Sequence, residues 1–327
     1  MRRRDFISIA GSAATWPLGA LAQQAEMPVI GFLSANTSDL VLSKFVPPFV
    51  RGLSESGFTD GQNVAIEYRW ASNHYDRLPA LAGDLVRRPV NVIVAVGGTA
   101  SALAAKAATA TIPTIFNIGS DPVKLGLVAS LNRPGANLTG ISYLAAALVP
   151  KRLETLHEAL PNATTVAVVV NPNFADSETN LQAAQTAARD LGQKPSVFNA
   201  STDGEINSAF KSIAERHADA LVVLPDPFLT SRAQQIVTLA AYQAIPAIYA
   251  WPQYTALGGL MSYGTSLTDA YRQVGVYTAK VLKGTKPAEL PVQEAVKVEL
   301  MLNLKTAKSL GITFPLSLLG RADEVIE

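Results

Sequence analysis

The stretch VNVIVAVGGTASALAAKAATATIPTIFNIGSDP (90–122) decides the fold. It contains a run of β-branched apolar residues, a glycine pair, an alanine-rich segment and a second apolar run. The two runs predict strands over 90–96 and 113–118 that are buried on both faces, and the alanine-rich segment predicts a helix over 99–109. A strand, a crossover helix and a further strand in this order predict a parallel sheet.

The same alternation extends along the chain in both directions. Apolar runs predict strands over 29–33, 63–70, 165–170, 194–199, 220–224 and 247–249, and segments between them have helical periodicity, including one predicted helix over 40–56. The length of 327 residues is enough for two domains of ordinary size. The sequence therefore predicts an α/β protein with two similar doubly wound parallel-sheet lobes and an interlobe cleft.

The first residues predict export from the cytoplasm. Arg2-Arg3-Arg4-Asp5-Phe6-Ile7 precedes a weakly apolar stretch over 8–21 and the small residues Ala20-Leu21-Ala22, which is the pattern of a cleavable signal over 1–22. Two arginines before an aromatic and an aliphatic residue favour the twin-arginine route, with general secretion as the alternative. The stretch is too short and too interrupted for a membrane span.

Composition excludes several classes of protein. The chain has no cysteine, so disulfides, thiolate metal sites, a cysteine nucleophile and lipid attachment are all excluded. We therefore expect a freely diffusing periplasmic protein, and a monomer is the default. Without the signal the chain has 24 basic and 25 acidic residues, which gives no electrostatic footprint for nucleic acid or an anionic membrane.

Polar residues stand where the predicted strands leave the sheets. Because ligands bind at the carboxyl ends of parallel strands, we expect these residues to meet at one cleft; they are Ser34, Thr99, Asp121, Asn171 and Asp226. Gly97-Gly98-Thr99 could present backbone N–H groups to a carboxylate, or Thr99 could simply cap the helix. Asp121 and Asp226 each precede a proline, so either could bind a ligand ammonium or begin a turn.

Aromatic residues cluster late in the second lobe. Tyr249, Trp251, Tyr254 and Tyr263 could stack on a planar ligand, or they could be core residues. The three histidines lie far apart, and the sequence has no GxSxG, GxGxxG or GxxxxGK[ST] motif. We therefore expect no metal, no cofactor and no catalytic residues.

Several segments together resemble the family of ABC transporter substrate-binding proteins that includes tryptophan- and tyrosine-binding importer components. They are Ile30-Gly31-Phe32-Leu33-Ser34, Arg51-Gly52-Leu53 through Val64, Ser120-Asp121-Pro122-Val123, Arg133 through Gly140, Asn303 through Ala307 and Arg321 through Glu327. The resemblance implies the type I periplasmic binding fold with three crossings between lobes. The lobes would comprise residues 26–142 plus about 265–287, and residues 143–264 plus about 292–327.

The resemblance also implies a site and a function. The ligand-binding residues that it implies are Ser34, Thr99, Ala100, Ser120, Asp121, Asn171, Asp226 and Tyr263. The glycine pair and the aromatic cluster add Gly98 and Tyr249 to this predicted site. The protein would be the periplasmic solute-binding component of an importer, closing on a small amino-acid-like or aromatic carboxylate ligand and then binding an ABC permease of the inner membrane. A periplasmic ligand-sensing subunit and an α/β enzyme using the same cleft are the alternatives.

Overall fold

The computed structural model describes residues 27–143 and 145–327, so the predicted export signal over 1–22 lies outside the described residues. The strands in chain order are β1 (Val29–Ser34), β2 (Ala65–Trp70), β3 (Val92–Val96), β4 (Thr114–Ile118), β5 (Leu138–Ser142), β6 (Thr165–Val170), β7 (Lys194–Asn199), β8 (Ala220–Val223), β9 (Ala247–Tyr249), β10 (Met261–Thr265), β11 (Gln293–Glu294), β12 (Val298–Asn303) and β13 (Glu324–Ile326).

The α-helices lie between these strands along the chain. In chain order they are α1 (Ser38–Lys44), α2 (Val46–Ser54), α3 (Leu78–Val86), α4 (Thr99–Ala108), α5 (Val149–Ala159), α6 (Ser177–Asp190), α7 (Asp203–Glu215), α8 (Pro227–Ser231), α9 (Ala233–Tyr242), α10 (Pro252–Ala256), α11 (Leu267–Leu282), α12 (Leu304–Ser309) and α13 (Leu316–Leu319).

Two sheets form two lobes, as the sequence predicts. The first has the order β11-β5-β4-β3-β1-β2 with parallel neighbours, and the second has the order β13-β12-β10-β9-β8-β6-β7. In the second sheet β12 runs antiparallel to β10, and β13 runs parallel to β12. The predicted α/β fold with two doubly wound lobes is confirmed.

Alternate residues of each central strand belong to different hydrophobic clusters. In β3, Val92, Val94 and Val96 pack in one cluster, while Ile93 and Ala95 pack in another. In β6, Ala167 and Val169 likewise pack in one cluster, while the residues that alternate with them pack in another. Helices therefore cover both faces of each sheet, which explains why these strands are apolar at every position.

The single helix predicted over 40–56 is wrong. The structure has α1 and α2, separated at Phe45, with Pro47 and Pro48 in the first turn of α2. Proline has no N–H to donate and its ring clashes with the preceding turn, so a continuous helix cannot pass through this pair. The helical segment that follows β8 is also divided, because Arg232 separates α8 from α9.

The chain crosses between the lobes after β5, after β10 and after β11. Helix α11 packs closely on α2 of the first lobe, and β11 pairs with Ile141 and Ser142 of β5. Residues 293–294 therefore belong to the N-terminal lobe. The last segment of the C-terminal lobe, predicted to begin near residue 292, begins at about residue 295. No helix of the described ranges is long and apolar enough to cross a membrane.

Candidate functional site

A cavity lies between the two lobes. Loops that follow β1, β3 and β4 form one wall, and loops that follow β6, β8 and β9 form the other. Its lining includes Gly98 and Asn117 from the first lobe, and Asp176, Asp226 and Trp251 from the second. The carboxyl ends of two parallel sheets thus face each other, which is where ligands bind in open α/β sheets.

The glycine pair before α4 brings the backbone of the first lobe close to the second. Gly97 and Gly98 have φ values of +80° and +112°, and a Cβ on Gly98 would lie 2.9 Å from Cε2 of Phe174. Both glycines line the cavity. The first N–H groups of α4 have no intrahelical acceptor, so this end of the helix can donate hydrogen bonds to a bound carboxylate.

Asp176, which the sequence analysis did not select, faces the N-terminal lobe. Its Oδ2 accepts a hydrogen bond from Thr99 Oγ1 at 2.9 Å, and its Oδ1 accepts one from Ser120 Oγ. Burial raises the pKa of Asp176, while the hydrogen bonds from Ser120 and Thr99 lower it. One feature of the sequence could have indicated Asp176 as a site residue. It stands directly before a predicted helix, as Asp226 stands directly before α8.

Asp226 is buried and connects three parts of the site. Its Oδ1 accepts the Leu229 N–H at 2.7 Å and caps α8, while its Oδ2 accepts from Tyr75 at 2.7 Å and from Asn171 Nδ2 at 3.1 Å. Burial raises the pKa of Asp226 to about 6, although these hydrogen bonds oppose the rise. The carboxyl therefore serves as a helix cap and as part of the cavity wall at the same time.

Three asparagines that line the cavity have buried amide atoms without hydrogen-bond partners. They are Oδ1 of Asn36, Oδ1 of Asn117, and both Oδ1 and Nδ2 of Asn180. Buried polar atoms are nearly always hydrogen-bonded, and leaving one unsatisfied costs about 1–3 kcal/mol. Their concentration in one cavity indicates a site whose bound molecule or water completes the hydrogen bonding.

Aromatic rings from both lobes surround the same space. Phe45 stacks on Tyr271 with ring centroids 4.7 Å apart, and Tyr143 meets the edge of Trp251 at 5.8 Å. Phe174 completes this group of lining rings. Flat apolar surfaces with a few polar groups are typical of sites that bind a planar organic ligand.

The structure brings together only part of the predicted site. Gly98 and Asp226 line the cavity, Thr99 and Ser120 bind Asp176, and Asn171 binds Asp226. Ser34 is not among the lining residues, and its Oγ accepts a hydrogen bond from the N–H of Asn36, which does line the cavity. Ala100 is half-buried in the first turn of α4.

The remaining predicted residues lie elsewhere. Asp121 accepts hydrogen bonds from the N–H groups of Val123 and Lys124, which is the turn-forming alternative for an Asp-Pro step. Tyr249 is fully buried and stacks on Tyr254 in the core of the second lobe. Tyr263 packs against the other core cluster of that lobe. None of the three is among the cavity-lining residues.

Contacts across the cleft show that the lobes are closed. Besides the bonds of Asp176 and Asp226, Asn73 Nδ2 donates to Ser231 Oγ at 3.0 Å. These partners belong to different lobes and can meet only when the cleft is shut. Within the ranges 27–143 and 145–327, no group of three or more His, Cys, Asp or Glu side chains is placed to hold a metal ion.

Comparison with known proteins agrees with this architecture. The model of the family described as ABC transporter substrate binding protein matches residues 28–326. A tyrosine-binding protein of Clostridioides difficile strain R20291 is 29% identical over 272 residues, which cover 83% of this chain and 77% of that protein.

Two solved structures extend the comparison. The ABC domain from Streptococcus pneumonia in complex with L-Trp is 27% identical, with a TM-score of 0.83 over 91% of this chain and 99% of that chain. The ligand-free, open structure of a substrate binding protein with adhesive properties from Clostridium difficile is 28% identical over the same shares, with a TM-score of 0.66. The better agreement with the L-Trp complex accords with the closed cleft.

Proposed function

Because this chain belongs to the family of ABC transporter substrate-binding proteins, we propose that it is the periplasmic solute-binding component of an ABC importer. It captures a small amino-acid-like or aromatic ligand between its lobes by closing about the three crossings. The closed form then binds a permease in the inner membrane. A ligand can shift the open and closed populations only as far as it contacts both lobes, so the site must span the cleft.

The observation that supports this proposal most strongly is the interlobe cavity with its unsatisfied asparagines. Aromatic rings and a few convergent polar groups line this cavity, which is the usual make-up of a small-molecule site. Asn36 and Asn117 come from the N-terminal lobe and Asn180 from the C-terminal lobe. A ligand that hydrogen-bonds all three would stabilise the closed form.

The cavity has a separate region for each part of an aromatic amino acid. The N-terminus of α4 at Gly98 and Thr99 would bind the carboxylate through backbone N–H groups, because the Thr99 hydroxyl already donates to Asp176. Asp176 would accept hydrogen bonds from the ammonium, with Asp226 close by on the same lobe. Trp251 and the stacked pair of Phe45 and Tyr271 would cover the aromatic ring.

The names of the relatives suggest the first ligands to test. One relative is described as tyrosine-binding, and one similar structure contains L-Trp. Their ligands carry an aromatic ring and an amino acid group, which the cavity lining here would accommodate. We therefore propose L-tryptophan and L-tyrosine as the first ligands to test on this protein.

The proposed location is the periplasm, with the protein present as a freely diffusing monomer. The basic residues Arg2-Arg3-Arg4 and the small residues before position 23 would direct export and cleavage. The near-neutral charge of the remaining chain gives no reason to expect a nucleic-acid partner.

The experiment is a thermal-shift screen of the mature chain after unfolding and refolding to remove bound ligand. The panel contains the amino acids, aromatic carboxylates and other small carboxylates. A ligand at a hundredfold excess over its dissociation constant stabilises the folded chain by about 2.7 kcal/mol. Recovery of the stabilising compound unchanged by mass spectrometry supports a binding protein, whereas its conversion would indicate an enzyme and no stabilisation would argue against this ligand class.

A further inference from the structure

The charges that line the interlobe cavity are all of one sign. Asp176 and Asp226 are lining residues, and both are more than nine-tenths buried. No lysine, arginine or histidine lines the cavity in the part of the chain that the structure describes. A buried carboxylate that is desolvated in this way favours a cationic partner and repels an anionic one.

The uncharged lining groups point in the same direction. Three of the four unpaired asparagine atoms are acceptors, namely the Oδ1 atoms of Asn36, Asn117 and Asn180, and one is a donor, Nδ2 of Asn180. An ammonium group has three N–H donors and no acceptor, so it matches this set. A carboxylate has no donor, so it could accept a hydrogen bond from Asn180 Nδ2 but would leave the three oxygens unsatisfied.

Arg152 is the buried guanidinium that would otherwise be expected to bind a carboxylate. Its side chain is 1% exposed, and its Nε donates to the carbonyl oxygen of Tyr263 at 2.9 Å, joining α5 to β10 within the C-terminal lobe. It is not a lining residue of the cavity. A ligand carboxylate would therefore meet neutral donors only, at the N-terminus of α4 and at Asn180 Nδ2.

We infer that the ammonium group is the determinant of recognition, and that the ligand class is aromatic amines, including aromatic amino acids, to the exclusion of aromatic carboxylates that have no amine. This inference rests on the proposed function and narrows it. The aromatic ring supplies apolar burial between the lobes, while Asp176 and the asparagine oxygens select for the cationic group. The carboxylate of an amino acid adds affinity without being required.

The test is calorimetric titration of the refolded mature chain with two matched series. The indole series is L-tryptophan, tryptamine and indole-3-propionate, and the phenol series is L-tyrosine, tyramine and 3-(4-hydroxyphenyl)propionate. In the series that binds, we expect the amine to bind within about tenfold of the amino acid, and the propionate to bind at least a hundredfold more weakly. The opposite order, with the propionate tighter than the amine, would overturn the inference.

The failures of the two proposals can be told apart. If an amino acid binds and its amine does not, the proposed function stands and the inference fails. If none of the six compounds binds and the thermal-shift screen gives no ligand, both fail together.

A pair of variants tests the role of Asp176 directly. Asp176→Asn removes the charge and keeps one carbonyl oxygen as an acceptor for Thr99 or Ser120, while its NH2 group faces the other hydroxyl. Amine affinity should therefore fall at least tenfold while the propionate gains affinity. Asp190→Asn, the same substitution at an exposed position at the other end of α6, should leave every affinity unchanged. Equal losses for amine and propionate in Asp176→Asn would contradict a charge-selecting role.

Discussion

The hydroxyl of Tyr75 in the N-terminal lobe donates a hydrogen bond of 2.7 Å to Oδ2 of Asp226 in the C-terminal lobe. Asp226 lines the inner cavity, while Tyr75 lines an outer groove between the lobes together with Asn171 and Phe228. The pair therefore stands between the ligand cavity and the outside. Its bond exists only in the closed form, so it contributes to the closure equilibrium.

Tyr75→Phe should shift the protein toward the open form. The substitution removes a hydrogen bond to a buried carboxyl, which is worth about 1.5–3 kcal/mol, and so should weaken ligand binding by at least tenfold. Calorimetry measures the affinity. Tyr242→Phe removes a hydroxyl from a side chain that is 88% exposed and should bind like the parent; equal affinities in both variants would contradict a closing role for Tyr75.

The raised pKa of Asp226 predicts a pH dependence of stability. Its value of about 6 against the ordinary 3.8 means that the folded chain retains a proton that the unfolded chain has lost. The free energy of unfolding should therefore fall as pH rises from about 4 to about 6, by about 3 kcal/mol for this group, and then stay level.

Asp226→Asn should remove that dependence, because asparagine cannot ionise yet still caps a helix. The measurement is denaturant unfolding of both proteins between pH 4 and pH 8, each held closed by a saturating concentration of a ligand from the thermal-shift screen. The stability difference between variant and parent should grow in favour of the variant as pH rises toward 6. A difference that is constant across this range would show that Asp226 has an ordinary pKa.

Gly98→Ala should hold the lobes apart. Gly98 has φ +112°, and an added Cβ would lie 2.9 Å from Phe174 of the opposite lobe, so the variant should bind ligand at least tenfold more weakly. Gly204→Ala is the control, because Gly204 is exposed in α7 and a Cβ there meets nothing within 4 Å. Unchanged affinity in Gly98→Ala would mean that closure does not need this close approach.

Helix packing in the N-terminal lobe predicts opposite effects at two helical glycines. A Cβ on Gly275 of α11 would lie 2.1 Å from the carbonyl oxygen of Phe49 in α2, so Gly275→Ala should destabilise the protein by about 3 kcal/mol or more. Gly83 of α3 has only the end of the Arg87 side chain nearby, and Gly83→Ala should stabilise the protein by about 0.5–1 kcal/mol. Thermal unfolding of both variants checks the two signs.

The first residues predict the export route. Replacing Arg3 and Arg4 by lysine together should retain the precursor in the cytoplasm if the twin-arginine route is used. Cell fractionation followed by immunoblotting measures the periplasmic share. Export of the double variant at the parent level would indicate general secretion instead.

The fold was predictable because its central strands, such as β3 and β6, are apolar at nearly every position. The run at 165–170 matches β6 at both ends, since a strand buried on both faces changes to polar residues where it leaves the sheet. The division of 40–56 into α1 and α2 depended on two prolines whose effect competes with helical periodicity. The short strand β11 has only two residues, and no periodicity can reveal an element of that length.

The site was predictable only where the function of a residue follows from its place on a strand end. Asn171 comes directly after β6 and Asp226 shortly after β8, and the structure brings them together. Asp176 was missed because it stands at the far end of the loop after β6, and its partners Thr99 and Ser120 are distant in sequence. Nothing in the local sequence separates Tyr249, a core residue, from Trp251, a lining residue.

Small-angle X-ray scattering of the refolded mature chain, with and without a saturating ligand from the thermal-shift screen, tests the central claim of capture by lobe closure most directly. We predict that the ligand-free chain is more extended than the closed structure. Ligand should lower its radius of gyration to the value calculated for the closed structure. A radius of gyration that stays the same when a ligand is demonstrably bound would contradict interlobe capture.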